Sequence, residues 1–271
     1  FDLSASTDSQ SGISKVTMGY SAGGKKTIST TISGTRTLSA STLATTVRSN
    51  GARYLVFTVT DTAGNKAVVK VKIYIDVTAP TMSLKLYAAN SEDKKVGAVK
   101  ETITESQAVS GWKNYRHYFD LTGSADSLSG IASIKMQINK TGIEATGNTA
   151  EGTKSFEKTY DITSKKYIVV GGSGNRFMRF TITDKAGNKV TRDVRVYIDL
   201  SKPTITWTGT SSVYGYNLTA YYTCNDKYSK FSSGNSVSSS KTLSSSGTVT
   251  ATCTDKAGNT TTSTRSYSRS C

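Results

Sequence analysis

The chain has 271 residues, 35% of them hydrophobic, with 23 glycines, two prolines, three cysteines and one histidine. No run approaches the roughly 20 apolar residues of a membrane-spanning helix, and no helical periodicity lasts beyond about three turns, so membrane insertion of this segment and a helical bundle are both excluded. A formal charge of +15, from 34 Lys and Arg against 19 Asp and Glu, favours anionic partners such as host or cell-wall glycans and other acidic polymers.

The basic residues are scattered at outward strand positions such as Lys66, Lys70, Lys72, Arg192 and Arg195, with no block of the kind that grips nucleic acid, and no nucleic-acid partner is expected. A solvated sheet face reads the same way. The composition, rich in Ser, Thr, Val and Tyr, suits strands. From its first residues the chain is strand-like. Phe1, Leu3 and Ala5 alternate with polar residues up to a turn at Asp8-Ser9-Gln10-Ser11-Gly12-Ile13. An export signal is missing, which predicts a processed or excerpted chain whose first strand lies outside it.

Ile13, Val16 and Met18 mark the next strand, and Ser/Thr-rich strands are expected between Thr27 and Thr46. Leu55, Phe57 and Val59 then alternate toward Asp61-Thr62-Ala63-Gly64-Asn65, and Val69, Val71, Ile73 and Ile75 alternate after it, ending at Asp76 and Pro80. Asp hydrogen-bonds its own backbone two residues on and Gly-Asn tolerates positive φ, so D-x-A-G-N predicts a tight antiparallel hairpin.

The pattern recurs. Asp184-Lys185-Ala186-Gly187-Asn188 lies between Met178, Phe180, Ile182 and Val194, Val196, Ile198, and closes on Asp199 and Pro203. Asp126-Ser127-Leu128-Ser129-Gly130-Ile131 repeats the Asp8 turn. A third hairpin, Asp255-Lys256-Ala257-Gly258-Asn259, is followed by Ser263, Arg265, Tyr267 and Arg269 where the other copies are apolar, which predicts a frayed edge strand. Repetition at these anchors predicts three copied all-β modules over residues 1–79, 80–202 and 203–271, with Pro80 and Pro203 stiffening the connections. The second module carries a long polar stretch near 88–112, which predicts added structure.

The "TDKAGN" hairpin, the "YID-x-(T/S)-x-P" junction and the "D-x-x-SG-I" turn resemble the bacterial immunoglobulin-like domains found in tandem on surface proteins and adhesins. In the third module Asn225-Asp226-Lys227-Tyr228-Ser229 stands where the second motif should be. The resemblance implies three tandem immunoglobulin-like antiparallel β-sandwiches in an extended array, with neighbouring domains of the same protein as partners. It implies an extracellular, secreted or surface-attached setting and a non-enzymatic stalk or spacer function. A glycan-binding module and a structural component of a phage or filament are the alternatives.

Cys253 takes the position of Val59 and Ile182, and Cys224 is in phase with Leu218, Ala220 and Tyr222. On facing sheets the two would form a disulfide worth roughly 3–4 kcal/mol, the alternative being buried free thiols, while Cys271 stays unpaired. Resemblance to calcium-rigidified surface repeats points to Asp76 and Asp199 as junction ligands, with Asp61 and Asp184 as neighbours. Only two strong carboxylates can be named against the six to eight oxygens calcium takes, so a solvated strand end is the favoured reading of Asp76 and Asp199, and no metal or other cofactor is expected. Trp112, Tyr115 and Tyr118, or Tyr214, Tyr216, Tyr221 and Tyr222, form candidate sugar-stacking platforms. His117 has no nucleophile pattern near it, and no residue is assigned a catalytic role.

Overall fold

A computed structural model describes residues 1–22, 30–38, 43–139, 156–213, 217–234 and 236–268. Among them the regular structure is β-sheet throughout. By contact the chain forms two compact units, one of residues 1–81, 125–133 and 182–190, the other of 82–124, 134–181 and 191–271.

In the first unit, β1 (Ile13–Ser21), β2 (Ile32–Thr37), β3 (Gly51–Asp61) and β4 (Lys66–Ile75) make an antiparallel sheet ordered β2-β1-β3-β4. Period-two alternation turns Val16, Met18, Leu55 and Phe57 to one face, where Leu3, Ile13 and Val71 join them. The Ser/Thr-rich strands expected between Thr27 and Thr46 amount to β2 and one bridge, Asp2 to Ala44; residues 23–29 and 39–42 of that range lie outside the described residues. Burying the four core side chains named contributes about 2 kcal/mol each.

In the second unit, β5 (Leu84–Ala89), β6 (Lys95–Ile103), β7 (Gln107–Ala108), β8 (Arg116–Asp120), β9 (Ile131–Ile138), β10 (Lys158–Asp161), β11 (Tyr167–Val170), β12 (Gly174–Asp184) and β13 (Lys189–Ile198) build two sheets. Their orders are β10-β9-β12-β13-β7 and β11-β8-β5-β6; the tip of the β12–β13 hairpin and the start of β9 belong to the first unit. Leu84, Leu86, Phe119, Met178, Phe180, Val194 and Val196 are fully buried, and Phe119 meets Phe180 with ring centroids 5.2 Å apart. The added structure at 88–112 is a hairpin plus an edge strand. Asn90 accepts the Glu92 and Lys94 amides to close its turn, β6 returns along β5, and β7 pairs in parallel with β13.

The remaining strands are β14 (Thr204–Val213), β15 (Asn217–Asn225), β16 (Ser236–Leu243), β17 (Gly247–Thr254) and β18 (Thr260–Tyr267). They form a β14-β15-β16 sheet and a β17-β18 sheet over a core of Tyr222, Cys224, Phe231, Ala251 and Cys253. β18 is an edge strand, as expected, but over its described residues it is not frayed, since it pairs with β17 at eight successive positions; Arg269 and Cys271 lie outside the described residues. Ser263, polar where an apolar residue was expected, accepts the indole N–H of Trp207 at 3.1 Å, so its hydroxyl is satisfied at the sheet face.

Candidate metal centre

The three D-x-A-G-N hairpins are alike in atomic detail. The Asp61, Asp184 and Asp255 carboxylates each accept the backbone amide and the side-chain amide of the asparagine four residues on, at 2.7–2.9 Å. The grip reaches four residues, where two were expected. Gly64, Gly187 and Gly258 sit at φ of 92°, 94° and 90°, a conformation that favours glycine.

A second turn is tied to each hairpin. The amide after the hairpin aspartate donates to the carbonyl of Gly12, Gly130 or Lys230, at 2.9, 2.9 and 3.0 Å. Lys230 therefore fills the place of the motif glycine, at φ 63° against 76° and 82°. The third copy, which lacks the glycine, is the same turn with Asp226 in the place of Asp8 and Asp126. Asp126 accepts the Leu128 and Gly130 amides, and Asp226 the Lys230 amide at 2.6 Å and the Ser229 hydroxyl.

The aspartates at the ends of β4 and β13 complete the arrangement. Asp76 accepts the Thr78 and Ser129 amides, and its carbonyl takes the Asn188 side chain. Asp199 accepts the Ser201 and Ser229 amides, and its carbonyl takes the Asn259 side chain. Two triads result, Asp76–Asp126–Asp184 in the first unit and Asp199–Asp226–Asp255 in the second, with ligand oxygens within 4.8 Å of one another.

The sequence pointed to Asp76, Asp199 and Asp184 as members of a candidate site but missed Asp126, Asp226 and Asp255, which the fold brings beside them. Asp61 joins neither triad and lies beside the Asp8 turn, where hydrogen bonding from Asn65 holds its carboxyl below the usual range. The overlooked signal is that every D-x-x-S turn and every D-x-A-G-N hairpin starts with a carboxylate.

Asp199, Asp226 and Asp255 are 0%, 7% and 6% exposed. Burial pushes Asp226 up, the Lys230 amide opposes this, and the Asp199 and Asp255 charges push it further. Such a set fits a hard divalent ion. Each triad brings three carboxylate oxygens together, one from each residue and of the donor type calcium prefers, and contains no His or Cys to favour zinc.

Cys224 and Cys253 are disulfide-bonded, with Cα atoms 5.9 Å apart, linking β15 to β17. Pro80 and Pro203 are buried just past Asp76 and Asp199. Of the aromatic candidates, Tyr118 stacks on Tyr167 at 4.8 Å, Tyr115 on His117, and Trp112 packs against Tyr197. Each of the three rings thus has another protein ring against it and is partly buried. Tyr222 is in the core beside Trp207, Tyr221 is 42% exposed, and Tyr214 and Tyr216 lie outside the described residues. His117 is fully buried, with desolvation pulling it down to about 4 against a hydrogen bond to the Tyr115 carbonyl.

No curated protein sequence matches the chain. Among solved structures, the fibronectin(III)-like modules of Clostridium thermocellum CbhA are similar, with 13% identity, 72% of this chain and 82% of that one covered, and a TM-score of 0.29. A Ca²⁺-stabilised adhesin of an Antarctic bacterium that binds ice matches at 16% identity and a TM-score of 0.28 over 94% of this chain, which spans 64% of the length of that one. A structure from a 1.5-MDa bacterial ice-binding adhesin matches at 14% identity and a TM-score of 0.31, with 94% of this chain and 86% of that one covered. The sequence model of the bacterial Ig-like domain matches residues 3–77 and again residues 80–199. The chain belongs to the bacterial Ig-like domain family.

Proposed function

We propose that this chain is a non-enzymatic, load-bearing segment of an extracellular or cell-surface, adhesin-type protein, and that calcium closes the hand-over from one repeat to the next. The observation that carries the reading is the reuse of one arrangement at Asp76 and at Asp199. In both places the last aspartate of a closing strand is held by a serine amide of the next D-x-x-S turn and by the asparagine of the next hairpin. The same three carboxylates converge each time. Held there, the ion supplies the positive charge that three crowded carboxylates lack, and every ligand then resists separation of the strand end from the two turns. Residues 203–271, with two sheets stapled by Cys224–Cys253, are read as a third, shorter Ig-like module.

Equilibrium dialysis against ⁴⁵Ca tests this. Two ions per chain are expected, falling to none in a variant carrying both Asp126→Asn and Asp226→Asn. In single-molecule pulling, the force needed to extend the chain should drop when a chelator is added. Absence of calcium uptake, or uptake unchanged in the double variant, would sink the reading.

A further inference from the structure

The outward face of the first unit's sheet carries positive charge and no carboxylate. Register places Lys15, Thr60 and Lys66 in one row across β1, β3 and β4. Thr37, Thr17, Thr58 and the exposed Val68 form the next row, and beyond Val68 come Lys70 and Lys72 along β4, opposite Val56 and Tyr54. The four aspartates of residues 1–79 all stand elsewhere. Asp2 and Asp8 precede β1, Asp61 grips Asn65 in the hairpin, and Asp76 follows β4. Lys15, Lys66, Lys70 and Lys72 are exposed and form none of the ion pairs seen among the described residues, while Tyr74, on the same face, is 73% exposed.

The other copies supply the contrast. At the matching positions β13 has Lys189, Thr191, Asp193, Arg195 and Tyr197. There Arg179 and Asp193 pair through two bonds of 2.7 and 2.8 Å, and Tyr197 packs on Trp112. β18 has Thr260, Thr262, Thr264 and Ser266. β4 ends its sheet, and keeping such an edge from pairing needs charge but not charge of one sign, whereas β13 is covered by β7 and carries both signs. A lysine row without counter-charge is peculiar to β4.

Strand geometry sets the shape of what fits. At about 3.3–3.4 Å per residue, Lys70 and Lys72 are about 7 Å apart and the row from Lys66 to Lys72 runs about 20 Å. The lysines are four and then two residues apart, with Val68 in the gap, and that length exceeds a single small anion and suits an extended chain carrying charges along it. The threonine row offers hydroxyls that donate and accept, as sugar hydroxyls require, and Tyr74 offers an apolar ring. We propose that the Lys15–Lys66–Lys70–Lys72 face of the β2-β1-β3-β4 sheet binds a linear acidic polysaccharide, one carrying carboxylates along an extended chain. This binding goes beyond the load-bearing role and is independent of calcium.

The test is retention of the full 271-residue chain on immobilised polygalacturonate in a rising salt gradient, with chelator present throughout. Native protein should be held at low salt and released as screening increases. Lys70→Ser with Lys72→Ser should weaken binding about tenfold, since each exposed contact is worth up to roughly fivefold. Lys189→Ser with Arg195→Ser removes the same charge from the sister strand and should leave affinity unchanged. Should the first variant self-associate through its bared edge, Lys72→Gln read on the monomer fraction gives the same comparison. Equal losses in the two double variants, equal retention on an uncharged linear glucan, or tighter binding to duplex DNA than to polygalacturonate would each overturn the proposal.

Discussion

Replacing Asp226 by Asn should stabilise the protein when divalent cations are withheld and should remove part of the gain that calcium gives. The Asp226 carboxylate lies within 4.8 Å of Asp199 and Asp255, all three buried. At an effective dielectric constant of about 20, two unit charges at that separation repel by about 3 kcal/mol. Asn removes two such pairs and keeps one side-chain oxygen for the Lys230 amide and the Ser229 hydroxyl. The ion-free protein already relieves part of the repulsion, because Asp226 holds its proton more tightly than a free carboxyl. A net gain of about 1–2 kcal/mol is left, some degrees in thermal midpoint. With calcium at about a hundred times its dissociation constant, each occupied triad adds about 2.7 kcal/mol to the native protein, and the variant loses that share from its second triad. Hydrogen exchange at residues 226–231 and 255–260, with chelator and with calcium, reads both effects locally. The reasoning fails if the variant exchanges faster than native protein in chelator, or if calcium protects both equally.

Four further outcomes follow. Asp126→Asn should show the same signs with a smaller gain in chelator, since Asp76 and Asp126 are only partly buried; an equal or larger gain in paired melts would contradict the role given to burial. Lys230→Gly should raise stability by about 0.5–1 kcal/mol, because a left-handed conformation costs a side-chain-bearing residue about 1–2 kcal/mol and glycine's freedom in the unfolded chain takes part of that back; a loss in urea unfolding would count against it. Reducing Cys224–Cys253, or replacing both by Ala, should cost about 3.5 kcal/mol for a separation of 29 residues, and a change under about 1 kcal/mol in denaturant midpoint would mean that the β15–β17 packing holds without the link. His117 is neutral in the folded protein because its value is lowered from 6.5 to about 4. Between those values the unfolded chain binds the extra proton, so this contribution is complete above about pH 6.5 and is lost as pH falls toward 4, by about 3 kcal/mol in total. His117→Phe should flatten that part of the stability–pH curve, and an unchanged slope would refute the assignment.

The parts of this fold legible in the sequence are those whose cause is local. A period of two fixes which face Leu55 and Phe57 or Met178 and Phe180 occupy, and D-x-A-G-N fixes the turn between strands whatever lies beyond. Local reading also had more to give. Phe1-Asp2-Leu3 and Phe119-Asp120-Leu121 are one motif: the phenylalanines meet Phe57 and Phe180 at 5.1 and 5.2 Å, and the aspartates accept the Ser4 and Thr122 amides. Reading failed where a rule was applied to residue type in place of position. Lys230 in a left-handed turn hid the third D-x-x-S turn, and Ser263 suggested fraying because its partner, the Trp207 indole, lies on another sheet.

The triads were out of reach for a different reason. Their members are 50 and 58 residues apart in the first and 27 and 29 in the second, so no fixed spacing marks them. Each aspartate already has a sufficient local reason to be there, since a turn needs its acceptor oxygens. Seen one at a time, the turn explanation is complete and leaves nothing for a ligand to explain. Only when the end of β4 or β13 is brought against both turns do three separately justified carboxylates become a local excess of negative charge that no turn requires. That excess, invisible in any single motif, is the physical reason to assign the hand-overs an ion.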